Sequence, residues 1–186
     1  MSIKITTLVE NSVYGKGLQG EHGLSLLVDT GEHRLLFDTG ASDLFIRNAR
    51  ILGIDLKEVD FLVLSHGHRD HTGGLHHFLA VNDKAQVICK RELFRPKFKD
   101  ERENGVMQPN ALDSTRFRFV DEVTELCRGV FVFPQLPVTD EEDTHFEHFF
   151  TWAEGRKQAD TFTDELALVL KQGAEVSVLS ACSHRG

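Results

Sequence analysis

Apolar and polar positions alternate along the start of the chain, and residues 3–9 read as a first strand. Asn11 to Gly23 is a loop carrying four glycines, Gly15, Gly17, Gly20 and Gly23. Leu24–Val28 and Arg34–Phe37 are two β-like runs around Asp29-Thr30-Gly31-Glu32, which predicts a hairpin. Leu44, Phe45, Ala49 and Leu52 then share one helical face. Ser42 or Asp43 is placed to cap that helix and Gly53 to stop it. Phe61–Leu64 is a short apolar run and reads as a buried strand. The stretch after Gly73-Gly74, Leu75-His76-His77-Phe78-Leu79, reads as a helix.

Farther on, Gln86–Cys89 is another short strand. Lys90–Glu103 mixes Lys90, Arg91, Arg95, Lys97, Lys99 and Arg102 with four acidic residues. One reading is a solvated helix face with mixed-sign pairs; the other is a phosphate-recognition segment using forked Arg donors. Residues 104–160 are the least regular part, with one strand over Phe131–Phe133, an acidic run at 139–144 and an aromatic run at 145–152. These aromatics either anchor a loop or form a lid that stacks on a flat substrate. Leu166–Leu170 and Val176–Leu179 flank a glycine-containing turn and predict a second hairpin. Closing it brings Asp164 towards Cys182–His184. No repeat divides the chain, so 1–186 reads as a single domain with an insert or lid over 90–160.

Chemistry concentrates in Ser65-His66-Gly67-His68-Arg69-Asp70-His71, directly after the buried strand. If the backbone stays extended through His66-Gly67-His68, alternate side chains point the same way, and both imidazoles can face one ion. Gly67 offers no side chain to obstruct that approach. Asp70 and His71 lie past the bend, in a direction that suits a second ion. Imidazole and carboxylate suit Zn²⁺, and also Fe or Mn. Two ions about 3.5–4 Å apart can share a hydroxide that is nucleophilic at neutral pH. A solvated His-rich loop is the bland alternative, disfavoured by the buried strand leading into it.

This stretch resembles the His-x-His-x-Asp-His signature of the metallo-β-lactamase-fold hydrolases. The resemblance implies an α/β (α+β) fold, a four-layer αββα sandwich of two sheets with helices outside. Glu21-His22-Gly23-Leu24-Ser25, Leu36-Phe37-Asp38-Thr39-Gly40 and Cys182-Ser183-His184 are similar to one subgroup, which includes the dihydropterin-6-methyl-(ribofuranosyl)aminobenzene 5′-phosphate synthases. It implies that His66, His68 and His184 hold one ion, and Asp70 and His71 the second. Asp164 is a candidate ligand or orienting group. Asp38 is either the carboxylate that steadies a ligand histidine or a turn residue. His22 is either a proton donor or substrate contact in the pocket, or a surface histidine. Cys182 is expected as a buried small hydrophobe, although its thiolate could bind zinc. His33, His76, His77, His145 and His148 have no motif behind them.

The family pattern continues past His184 with a further histidine for the second ion. The second half of the sandwich is therefore expected to be incomplete, with the second ion absent or weak and apolar sheet surface exposed. A homo-oligomer or partner could cover that surface. The expected activity is hydrolysis of an ester or phosphoester of a small molecule, phosphorylated or pterin-like, with Asp70 and His22 as catalytic groups. The alternatives are a dihydropterin-linked synthase (a transferase) and a shortened, non-catalytic metal-binding protein. A net charge of −8 argues against a general nucleic-acid binder. No apolar run approaches the ~20 residues of a membrane span. The N-terminus lacks a signal-peptide core and the three cysteines imply no disulfide framework, so a cytoplasmic protein is expected.

Overall fold

A computed structural model describes residues 3–106 and 114–186. In chain order the strands are β1 Lys4–Val9, β2 Ser25–Asp29, β3 Arg34–Phe37, β4 Phe61–Val63, β5 Gln86–Cys89, β6 Lys97–Lys99 and β7 Arg102–Glu103. They continue with β8 Phe117–Phe119, β9 Thr124–Cys127, β10 Val130–Phe133, β11 Phe149–Ala153, β12 Arg156–Ala159, β13 Ala167–Gln172 and β14 Glu175–Leu179. The α-helices are α1 Leu44–Ile51, α2 Arg69–Thr72 and α3 Leu75–Val81. The mixed α/β architecture, rich in sheet and sparing in helix, is the one expected. The chain forms two compact units. One comprises the described residues of Met1–Leu64, Arg69–Ile88 and Met107–Arg118, the other Ser65–His68, Cys89–Val106 and Phe119–Gly186.

The first unit carries most of a six-stranded sheet of order β1-β2-β3-β4-β5-β8. The expected hairpin is present, with Leu26 opposite Phe37 and Asp29 opposite Arg34. Asp29 accepts the Gly31 N–H at 2.8 Å inside a turn where Gly31 has φ 85°, a value glycine adopts without steric cost. β3 and β4 run parallel, joined through α1. Leu35, Leu36, Phe37, Leu62, Val63 and Leu64 are all fully buried, as parallel strands covered on both faces require. Each such side chain contributes about 1.5–3 kcal/mol.

α1 buries Leu44, Phe45, Ile46, Asn48 and Ala49. Leu52, placed on the apolar face by its spacing, is instead exposed, because α1 has already ended and Gly53 turns the chain with φ 71°. Asp43 is the N-cap but makes no capping bond and pairs with Arg47 instead, while Ser42 Oγ, one residue earlier, accepts from Leu44 N at 3.1 Å. Asn48 is the polar residue on the buried face. Its Nδ2 donates to Leu8 O and Gln19 O, both at 2.7 Å, which fastens the glycine-rich loop to β1.

Two further sheets lie in the second unit, of order β14-β13-β10-β9 and β12-β11-β6-β7. The expected second hairpin is β13–β14, with Leu168 opposite Leu179. β13 and β10 bury Leu168, Leu170, Val130 and Val132, whereas β14 at the sheet edge leaves Val176 and Val178 about 60% exposed. The charged segment 90–103 is not a helix. It makes a 3₁₀ turn over Arg91–Phe94 and then β6 and β7, because Pro96 breaks a helix and Lys97–Lys99 pair with Phe149–Thr151 of β11. Within residues 104–160, β8, β9, β11 and β12 appear beyond the one strand expected there; 107–113 lie outside the described residues.

Candidate metal centre

In the second unit the strand-end loop brings His66 and His68 beside His184, which follows β14. All three are buried, and one ligand atom from each lies within 4.8 Å of the others. Their ring centroids are 4.8 Å (His66–His68), 5.2 Å (His66–His184) and 5.0 Å (His68–His184) apart. The Nδ1–H of His184 donates to His145 O at 3.0 Å, which leaves Nε2 as the lone-pair nitrogen. His66 Nδ1 lies 2.9 Å from Ser65 Oγ, so its Nε2 is likewise the atom turned to the cluster. Three buried imidazoles, those of His184 and His66 with the second nitrogen held by an oxygen partner, fit a divalent ion such as Zn²⁺.

Aromatic rings wall this cluster. Phe162 stacks on His184 with centroids 3.8 Å apart and an interplanar angle of 10°. Phe149 lies 4.7 Å from His68 and 5.1 Å from His184. Asp164 is fully buried, with Oδ2 accepting the Gly67 N–H at 2.7 Å and Oδ1 bound by Lys97 Nζ at 2.8 Å. Glu165 accepts the backbone N–H of His184 and of Arg185, fixing the segment that carries His184. Burial pushes the Glu165 carboxyl above its usual range despite those two donors. Cys182 is exposed rather than buried, since it sits in the bend beyond the edge strand. Cys89 is the buried thiol, pushed up to about 12 by burial and the Asp164 charge.

The first unit holds the other half of the signature. Asp70 is the second residue of α2, and its Oδ2 lies 3.4 Å from His71 Nε2 and 3.4 Å from His22 Nε2. His71 Nδ1 meets Asp38 Oδ2 at 2.7 Å, both side chains buried. Asp38 therefore orients a histidine, one of the two roles open to it from sequence. It is held in a left-handed conformation, φ 60°, by the Val63 carbonyl on its N–H and by Ser25 Oγ on its carbonyl. Strain of this kind is tolerated by Asp better than by most residues.

The subgroup motifs have local causes here. Glu21 accepts from Ala41 N, Ser42 N and Ser42 Oγ, which ties the His22 loop to the one after β3. A Cβ on Gly23 would lie 2.3 Å from Asp70 O, and one on Gly73 2.2 Å from Ala41 O. His22 itself is 83% exposed, with Nδ1 at 3.2 Å from Asn11 Oδ1. His33 pairs with Asp60, and His148 with Asp100, at exposed positions. Sequence reasoning placed Lys97 only among the charges of a solvated or phosphate-recognition segment, and passed over Asp160 and Phe162. Their partners lie far apart in the chain, and no spacing rule links them.

The family model for the metallo-β-lactamase superfamily matches residues 18–164. The chain belongs to the metallo-β-lactamase superfamily. It is 28% identical to the 7,8-dihydropterin-6-methyl-4-(β-D-ribofuranosyl)-aminobenzene-5′-phosphate synthase of Methanocaldococcus jannaschii, over 100% of this chain and 69% of that protein. An uncharacterized protein of the same archaeon is also 28% identical, over 98% of this chain and 70% of its own. The crystal structure of Tm1679, described as a metal-dependent hydrolase of the β-lactamase superfamily, matches with a TM-score of 0.80 and 33% identity. That match covers all of this chain and 68% of the other. Among the described residues, no helix is long and apolar enough to cross a membrane.

Proposed function

We propose that the protein is a metal-dependent hydrolase acting on an ester or phosphoester of a small molecule. The observation that carries this reading is the buried His66–His68–His184 cluster, with its ligand atoms within 4.8 Å of one another. In this reading those residues hold one divalent ion, Zn²⁺ by its donor set, and Asp70 with His71 hold a second. Bound there, the ions supply Lewis acidity and an activated water. Asp70 orients the incoming water through the carboxylate it keeps beside His71. His22, exposed and 3.4 Å from Asp70, carries a proton between the reacting centre and solvent. Asp164 acts on the Gly67 backbone and serves as an orienting group. A small polar substrate and a cytoplasmic setting complete the proposal.

The second reading is synthase chemistry on a dihydropterin, which the 28% identity over the whole of this chain favours. Two assays separate the readings. Hydrolysis of a chromogenic phosphodiester with added Mn²⁺ or Zn²⁺ is expected under the first. Product formation from a dihydropterin pyrophosphate and an aminobenzene ribotide, without ester hydrolysis, would replace it with the second. Metal below one ion per chain together with neither activity would leave a non-catalytic protein.

Asp38→Asn tests the second ion. The substitution keeps the shape but removes the charge that holds His71 Nδ1–H. We expect about 10–100-fold weaker binding of the ion at Asp70 and His71, with the melting temperature of the apoprotein shifted little. Isothermal titration of apoprotein with Zn²⁺ reads both sites, and an unchanged second binding constant would refute the role of Asp38.

A further inference from the structure

A buried charge cluster lies against the loop that carries His66 and His68. Lys97 is 2% exposed, yet it bears an ammonium group. Its Nζ lies 2.6 Å from Asp160 Oδ2 and 2.8 Å from Asp164 Oδ1. Burial alone would lower the Lys97 pKa; the carboxylates of Asp164 and Asp160 outweigh it and hold the pKa above the usual lysine value.

Each carboxylate also grips a second element. The free oxygen of Asp164, Oδ2, accepts the Gly67 N–H at 2.7 Å, midway between His66 and His68. Asp160 Oδ1 accepts the Phe162 N–H at 2.8 Å. Phe162 has φ 51°, a conformation an aromatic residue adopts only when its surroundings impose it. The consequence is that its ring lies flat on His184 at 3.8 Å and edge-on to His68 at 5.0 Å and 84°.

We propose that Lys97 is a positioning residue for the metal centre, fixing the His66–His68 loop through Asp164 and the His184 ring through Asp160 and Phe162. The proposal rests on the reading that these three histidines hold an ion. Stability alone is a weak reason for such a triad, because a buried ion pair is often matched by apolar side chains of similar volume. Its second hydrogen bonds run to the segments that carry the histidines, which a purely structural pair would not need. The three charges also sum to −1 on the side of a cation site, where low dielectric makes that charge effective.

The test compares the wild type with Lys97→Met, Asp160→Asn and Phe162→Leu. Each apoprotein is checked for folding by circular dichroism. It is then titrated with Co²⁺ while the visible absorption of the bound ion is recorded, and loaded with Zn²⁺ for elemental analysis. Folded variants are expected to bind the ion at least ~10-fold more weakly, with an altered Co²⁺ spectrum. A lower melting temperature with wild-type affinity and spectrum would mark Lys97 as structural only and overturn the proposal. If Lys97→Met does not fold, Asp160→Asn, nearly isosteric, and Phe162→Leu, which removes no charge although its ring lies 5.3 Å from Lys97 Nζ, decide by the same criterion. Less than one ion per wild-type chain would refute the metal reading itself, a result distinct from failure of the positioning role.

Discussion

Replacing His66 or His68 by alanine is expected to abolish metal retention through purification, whereas His76→Ala and His77→Ala leave it intact. The magnitude follows from typical zinc energetics. About 10–16 kcal/mol shared among four ligands places one ligand at about 2.5–4 kcal/mol, or roughly 70–1000-fold in affinity. His66 and His68 both sit in the buried cluster, within 5.2 Å of a second and third ring. His76 and His77 belong to α3, where their rings pair with each other at 5.1 Å. All four lie within twelve residues of sequence, so a loop with general affinity for metals would lose metal by similar amounts in every variant. Elemental analysis of the four purified proteins distinguishes the outcomes, and equal loss would sink the ligand assignment. The alanine variants also leave a void at a buried site, so folding is checked on the apoproteins.

The elements that were legible in the sequence are those whose partners are close in the chain. The β2–β3 hairpin has a turn with its own chemistry, and β13–β14 has a glycine between two apolar runs. The Phe61–Leu64 strand and the glycines after His71 were also readable, because a continuous apolar run and a Gly-Gly step each have few structural meanings. Asp38 was narrowed to two roles, and the 2.7 Å contact with His71 distinguishes them. The charged segment was not legible. Its composition suggests a solvated surface, but Lys97 is buried by carboxylates 63 and 67 residues downstream. Residue type gives no warning of such a pairing, since lysine is almost never buried unless a partner is supplied. β12 was missed for a related reason. Arg156-Lys157-Gln158-Ala159 has no apolar alternation, and pairing to β11 makes it a strand.

Gly67→Ala is expected to be the most damaging change of a single methyl group in the chain's metal loop. A Cβ built there would stand 2.4 Å from Leu93 O, 2.8 Å from Lys97 Cε and 3.2 Å from Asp164 Oδ2. The carbonyl belongs to the 3₁₀ turn Arg91–Phe94, and Lys97 is locked between two aspartates, so neither can retreat cheaply. Overpacking at a site without give costs about 3 kcal/mol or more. The loop can relieve it only by moving away from Asp164, which carries His66 and His68 out of register with His184. Urea unfolding of the apoprotein and Zn²⁺ stoichiometry should therefore both fall. Gly155→Ala is the control, because φ 76° strains any side chain there but nothing lies within 4 Å of its Cβ. It should cost about 1–2 kcal/mol and leave metal content unchanged. The comparison separates backbone strain from loss of space. If Gly67→Ala bound Zn²⁺ as the wild type does, the close approach of Leu93, Lys97 and Asp164 to the loop would not be what sets the spacing of His66 and His68.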